Sequence, residues 1–337
     1  MANREFGRGI ILCVISAIAA YSGLITGCGG SVDAPNSSSP LSAAVSNGPQ
    51  LGYLWSATDA ALHPILGVPG SSQFGQSVTT AGLYVNGAAS ARSSIALLQS
   101  TNGVISTMTV PQGSAEVISG ATISGSVQIV FSPSGLNAVL YTPGSSSVLL
   151  ITALTTAPQV QTLTAPSNFL AATVSDTAQV AAVSGSGPLR VALLTGNTAS
   201  LTTLGGFGGF SFLPGGSDLL IADRSTGVVT LVRNTTGTPA AQSFTASTIK
   251  SPLAIAGSVD GLWAVVANSA DQSVVRLDLT GASAPLRIAC ACQPVQLTTL
   301  SGNAVFSLTA PGSTATWAVD ASAPTPRTVF IPALVKP

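Results

Sequence analysis

The 337-residue chain carries 11 Lys and Arg against 11 Asp and Glu, a formal charge of zero, and charged residues make up only 7% of it, against about 25% in an ordinary soluble domain. With no Lys/Arg cluster and no acidic or polybasic tail it has nothing to neutralise a phosphate backbone, so no nucleic-acid partner is expected. The mean hydropathy of +0.53 would suit a multispanning membrane protein, but after residue 27 no stretch of 18 residues runs without Gly, Pro, Ser or Asn.

In chain order, Arg4 and Arg8 come first, then an almost wholly apolar run over residues 10–25 (IILCVISAIAAYSGLI), then Ile25-Thr26-Gly27-Cys28. A charged start, a short apolar stretch and a small residue before a cleavage point form the layout of an export signal, too short for a comfortable membrane span. Its end resembles the lipobox of bacterial lipoproteins, in which an aliphatic residue, a small residue and Gly or Ala precede a Cys. The resemblance implies cleavage between Gly27 and Cys28, removal of residues 1–27 with Cys13 among them, and acylation of Cys28, palmitate included. An uncleaved signal anchor with an incidental Cys is the alternative. Two or three acyl chains, at about 0.8 kcal/mol per buried methylene, anchor stably without a transmembrane helix. Gly29, rather than Asp, follows the Cys; by resemblance to lipoprotein sorting in two-membrane bacteria this implies the outer membrane of the cell envelope.

Residues 28–50 hold the expected lipidated Cys and a Gly-, Ser- and Pro-rich linker (GGSVDAPNSSSPLSAAVSNGPQ over 29–50) with one charge, Asp33. Such a composition buries too little apolar surface to fold and reads as a tether, of reach on the order of 25 Å for 22 flexible residues.

Residues 51–337 repeat. Two apolar runs joined by a turn of Gly, Ser, Pro, Asn or Asp recur at 139–154 (VLYTPGSSSVLLITAL), 180–194 (VAAVSGSGPLRVALL), 219–233 (LLIADRSTGVVTLVR), 263–278 (WAVVANSADQSVVRLD) and 305–320 (VFSLTAPGSTATWAVD). Residues 83–99 (LYVNGAASARSSIALLQ) fit, and 53–67 (YLWSATDAALHPILG) fit less well. Each reads as a hairpin of β-formers bounded by turn residues. A short turn precedes each of the five, as at Ser132-Pro133-Ser134-Gly135, Ser175-Asp176-Thr177 and Val259-Asp260-Gly261. One further strand is expected before each turn (127–131, 170–174, 210–213, 253–256, 295–300) and one after each hairpin (160–163, 200–204, 242–244, 286–289, 328–331). Successive units lie about 39–45 residues apart, and four strands in such a repeat is the plan of a propeller blade.

The expected fold is therefore all-β: a β-propeller of seven blades of four antiparallel strands, following the signal and tether. The short stretch 51–82 implies that first and last repeats cooperate in closing the circle, and 111–126 reads as an insertion between the second and third units. On these turns and valine-rich strands, residues 51–334 resemble the bacterial β-propellers of the Tyr-Val-Thr-Asn and WD-repeat type. Only Asp260-Gly261 gives the full Asp-Gly turn and no Trp-Asp pair occurs, so no functional residue carries over. A β-helix or a pair of sandwiches would share the composition; the even repetition of one hairpin favours the ring.

Chemistry-bearing residues are sparse. The one His, His63, cannot build a three-ligand metal site or a nucleophilic relay unaided and reads as a core or surface residue. Gly205-Gly206-Phe207-Gly208-Gly209 precedes no helix and reads as a tight connection between blades rather than a phosphate cradle. Cys290 and Cys292 form either a bridge, which would need a bend in the chain, or two buried small hydrophobes; no metal site and no cofactor is expected. The Asp residues fall mainly in turns, where Asp usually caps its own backbone. Arg276 and Asp278 share a strand face and read as a surface pair, and Trp55, Trp263 and Trp317 as packing between blades. A ligand site, if present, would lie at the mouth of the ring, with Arg92, Asp223, Arg224, Asn268 and Asp271 expected on one face. The functional expectation is a non-enzymatic, membrane-anchored platform for an envelope protein or surface glycan. The alternative is a propeller enzyme of lactonase or lyase type, working in the central channel.

Overall fold

The structure, a computed structural model, describes residues 48–79, 82–111, 113–196, 200–312 and 314–333. The expected signal, Cys28 and all but the last residues of the expected tether lie outside them. Among the described residues there are 27 strands and no helix, as expected where β-branched and small apolar residues alternate with turn formers.

The strands fall into seven antiparallel sheets, each a meander of consecutive strands. The first holds β1 (Gln50–Ser56), β2 (Ala61–Val68) and β3 (Ser71–Phe74). The second holds β4 (Tyr84–Ala89), β5 (Ile95–Ser100), β6 (Val104–Thr109) and β7 (Glu116–Thr122), and the third β8 (Gln128–Phe131), β9 (Ala138–Tyr141), β10 (Ser147–Thr152) and β11 (Gln159–Thr164). The fourth is β12 (Phe169–Val174), β13 (Val180–Ser184), β14 (Leu189–Leu193) and β15 (Ser200–Leu204); the fifth, β16 (Phe207–Phe212), β17 (Leu219–Asp223), β18 (Val229–Arg233) and β19 (Ala240–Phe244). The sixth is β20 (Pro252–Gly257), β21 (Trp263–Asn268), β22 (Ser273–Asp278) and β23 (Leu286–Ala289), and the seventh β24 (Thr298–Thr299), β25 (Val305–Ser307), β26 (Thr316–Asp320) and β27 (Arg327–Ile331). The blade plan is the expected one, with six sheets showing all four strands and the first showing three among the described residues.

What closes the sheets into a ring is the packing of their faces. Seven hydrophobic clusters lie one in each gap between neighbouring blades. Successive residues of one strand feed different clusters: on β5, Ile95 and Leu97 face the third blade, while Ala96 and Leu98 face the first. Strands buried on both faces must be apolar throughout, which accounts for a high hydropathy in a chain of strands. At about 1.5–3 kcal/mol for each fully buried Val, Leu or Phe, this burial is the main stabilising term.

The seam between the last and first blades follows the same rule. Leu51, Leu54 and Ile65 of the first blade pack against Leu300, Val305, Ala318, Val329 and Ile331 of the seventh, and the Ser301 amide donates to the Leu51 carbonyl at 2.6 Å. Among the described residues the two sheets exchange no strand.

Two expectations need correction. Residues 83–99 span the first and second strands of their blade, not the second and third, so that unit is set one strand too early. Residues 111–126 are not an insertion: Glu116–Thr122 is the outermost strand of the second blade. Its solvent-facing residues and Gly120 (φ 79°) mask the strand signal.

Candidate functional site at the ring channel

The innermost strands β4, β8, β12, β16, β20 and β24, with β1 in the first blade, surround a channel of about 1050 Å³. Its wall is neutral. Trp55, Gln128, Ser211 and Gln296 contribute polar or aromatic edges among Val, Ala, Ile, Phe and Gly, and the two charged residues on the lining are Arg92 and Asp176.

Small residues are required where the inner strands converge. A Cβ added at Gly87 would stand 2.7 Å from the Trp55 ring, and one at Gly209 (φ 106°) would stand 2.9 Å from the Ala254 backbone of the next blade. The Gly205–Gly209 run is thus only in part a connection. Phe207, Gly208 and Gly209 begin β16, where glycine permits the fifth and sixth blades to approach.

One mouth of the channel is formed by the turns joining the first and second strands of the blades, and polar contacts latch these turns around the ring. Asp176 of the fourth blade accepts from the Ser134 amide of the third at 2.7 Å and the Gly215 amide of the fifth at 2.8 Å. Asn137 donates to the Ser175 and Asp176 carbonyls. Asp260 of the sixth blade and Asn303 of the seventh bond through both amide and side chain. Arg92 of the second blade donates to the Gly302 carbonyl of the seventh at 2.6 Å, passing over the first. Burial raises the Asp176 pKa, but hydrogen bonds from the Ser134 side chain, from the Gly215 and Ser134 amides and from the Ser132 side chain outweigh it and hold the carboxyl below the ordinary carboxylate value. Burial lowers the Arg92 guanidinium. Reading Asp176 as a turn former found its place but not its reach across two blades, because its partners lie 42 and 39 residues away.

The five residues expected on one face divide between two. Arg92 sits in a turn between first and second strands; Asp223, Arg224, Asn268 and Asp271 sit at turns between second and third strands, at the opposite end of each antiparallel meander. These four are not on the channel lining. Asp223 accepts from the Gly205, Gly206 and Ser225 amides, bonds that overcome its burial and lower its pKa. Arg224 is exposed. Asn268 is fully buried, donates to the Thr248 carbonyl and accepts from the Lys250 amide. Asp271 accepts from Ser273 and pairs with Arg287 at 3.1 Å.

His63 is buried in the first blade, Nε2 at 2.7 Å from Asp59 Oδ2 and Nδ1 at 3.1 Å from the Gly75 carbonyl. Cys290 and Cys292 are joined by a disulfide, the chain bending after β23 to bring their Cα atoms to 5.0 Å. Arg276 does not pair with Asp278: it lies over the Trp263 ring at 4.4 Å and donates to the Ala321 carbonyl, while Asp278 accepts from Thr280. Trp317 packs on Phe330. Among the described residues, no three His, Cys, Asp or Glu side chains gather in an arrangement that could hold a metal ion.

No protein-family model matches the chain, and no curated protein matches it in sequence. Solved structures do. A functionally unknown protein from Desulfotomaculum acetoxidans DSM 771 superposes with a TM-score of 0.60 at 11% identity, covering 85% of this chain and all of that one. Apo AztD from Citrobacter koseri gives 0.56 at 12%, covering 86% and 83%. A catalytically inactive virginiamycin B lyase from Staphylococcus aureus, solved with quinupristin, gives 0.52 at 13%, covering 72% and 82%. At these identities the likeness is one of fold. The chain is a seven-bladed β-propeller.

Proposed function

We propose that this protein is a lipid-anchored protein of the bacterial envelope whose propeller binds an uncharged surface, a protein segment or a glycan, at the mouth of its channel. The observation that carries the reading is the neutrality of the lining together with the engagement of its two charges. Asp176 is held by two backbone amides and Arg92 by a backbone carbonyl, which leaves neutral amides, hydroxyls and the Trp55 ring facing the cavity. Such a wall suits hydrogen bonding and stacking without charge matching. Acylation of Cys28 would hold the propeller near the membrane, on a tether with a reach on the order of 25 Å.

The test is crosslinking in whole cells followed by recovery of the tagged protein, with Cys28→Ala alongside. A specific envelope component recovered with the wild type, and lost when Trp55→Ala and Gln128→Ala are combined, supports the reading. Retention of the Cys28→Ala form in the membrane fraction counts against the lipid anchor. The second reading, an enzyme of lactonase or lyase type, draws on the propeller fold shared with the virginiamycin B lyase. It predicts a stoichiometric divalent ion retained by the purified protein.

A further inference from the structure

We infer that the face of the ring opposite the latches docks on a bilayer of anionic phospholipids, through a cationic arc over the fourth to sixth blades. The inference rests on the lipid-anchored reading above and adds to it which mouth the membrane covers. The latched mouth is the one left open to a ligand.

Antiparallel meanders sort the few charges by face. The latched face holds the turns between first and second strands and between third and fourth. It carries Glu116, Asp176, Asp218, Asp260, Asp278 and Asp320 against Arg92, Arg233, Arg276 and Arg327. The opposite face holds the turns between second and third strands and the connections between blades. It carries Asp59, Asp223 and Asp271 against Arg190, Arg224, Lys250 and Arg287. Among the described residues the latched face is net negative and the opposite face net positive. In a chain with 7% charged residues, this division sets the long-range field.

The four cations of the opposite face are far apart in sequence and neighbours in the ring. Arg190 on β14 stands opposite Thr203 on β15, and the chain continues from β15 into Gly205-Gly206. The Gly206 carbonyl accepts from the Arg224 amide at 2.9 Å, which sets Arg224 beside that connection. The same turn ends at Gly227, where an added Cβ would stand 2.8 Å from the Ile249 carbonyl, so Lys250 follows directly. The Lys250 amide donates to Asn268 at 3.0 Å, and Asp271, three residues on, pairs with Arg287. All four cations are exposed. The carboxylates among them are turned into the protein's own bonds. Asp223 accepts from the Gly205, Gly206 and Ser225 amides, and Asp271 from the Ser273 hydroxyl and Arg287. The side chains of Arg190, Arg224 and Lys250 make no hydrogen bond or ion pair with described residues, and they form the outer charge of the arc.

An anionic bilayer fits this arrangement. The cations stand on four separate elements, and a fluid sheet of headgroups can meet them without matching their positions. Each cation near such a surface is attracted over about one screening length, some 8 Å at physiological salt. So few charges hold a free protein weakly, but a chain acylated at Cys28 is already within its tether's reach of the surface. There the arc has only to choose the face, and repulsion of the negative latched face favours the same choice.

The test is photocrosslinking of the cell-processed protein on vesicles of phosphatidylethanolamine and phosphatidylglycerol that include a phospholipid with a photoreactive headgroup. Lipid adducts on residues 185–190, 224–228 and 245–251 should exceed those on 213–218, 234–239 and 258–262 on the order of 10-fold. The excess should vanish on phosphatidylcholine vesicles, and at about 1 M salt, where the screening length is about 3 Å. It should also vanish when Arg190→Gln, Arg224→Gln and Lys250→Gln are combined, and survive Arg233→Gln on the latched face. Equal labelling of the two faces, an excess on the latched face, or no labelling of either overturns the inference. So does an excess that persists in the triple variant. The mass of the peptide holding Cys28 reads the anchor separately: an unmodified Cys28 overturns the anchor, while the adducts still decide the face.

Discussion

The fourth and first blades keep their places in the ring by different means. The fourth is a complete four-stranded sheet, packed on both faces, and its first turn is tied to both neighbours through Asp176. The first blade has three described strands and packs equally well on both faces, through Leu51, Leu54 and Ile65 on one side and Tyr53 and Leu62 on the other. Its turn position, however, is spanned among the described residues by the long side chain of Arg92. Face packing is thus common to every gap, whereas the polar latches differ from blade to blade. Stability belongs to the faces, and the edges and turns set how tightly the channel mouth is fixed.

The largest effect expected is from emptying a face. Phe169, almost wholly buried between the third and fourth blades, should cost about 3–5 kcal/mol when changed to Ala. Leu54→Ala at the seam should cost about 2–5 kcal/mol, both read from urea unfolding. A much smaller cost at Leu54 would show that the seam is not packed like the other gaps.

Next comes the latch. Asp176→Ala leaves the Ser134 and Gly215 amides without their acceptor and should cost about 1–3 kcal/mol. Because the folded Asp176 pKa lies below its unfolded value, its stabilisation is complete above the ordinary carboxylate pKa and disappears as pH falls through the folded value. Asp223, Asp260 and Asp271 are shifted the same way. Stability should therefore fall below about pH 4, and Asp176→Ala should lose less of it on acidification than the wild type.

Removing the disulfide by a Cys290→Ala, Cys292→Ala double substitution should cost about 1.5 kcal/mol, since a two-residue separation closes a very small loop. The smallest effect is expected from Arg92→Ala, about 1 kcal/mol or less, from one charged hydrogen bond in an exposed setting. A loss at Arg92 as large as that at Asp176 would mean that the first blade depends on its latch after all.

Much of the ring was legible in the residues. The hairpins of the third to seventh blades, their preceding turns and their outer strands fall where β-former runs and turn residues place them. The second blade was misread because Leu83–Gln99 and Ile95–Thr109 both alternate as hairpins, and its outer strand, half solvent-facing, carries too few apolar residues to stand out. The site was less legible. Asp223, Asn268 and Asp271 read from the sequence as members of one possible ligand face with Arg92 and Arg224, but the fold sets them on the opposite face from Arg92 and uses them to satisfy backbone amides and carbonyls and an Arg.

By itself, the amino-acid sequence determined the blade: local propensity, period-two alternation and turn chemistry act over fewer than ten residues and need no distant partner. Only the tertiary structure decided that Asp176 ties three blades together and that Arg92 lies on the opposite face from Asp223 and Asp271. Each depends on which turns a closed ring brings side by side, and residues some 40 to 210 positions apart carry no local mark of meeting.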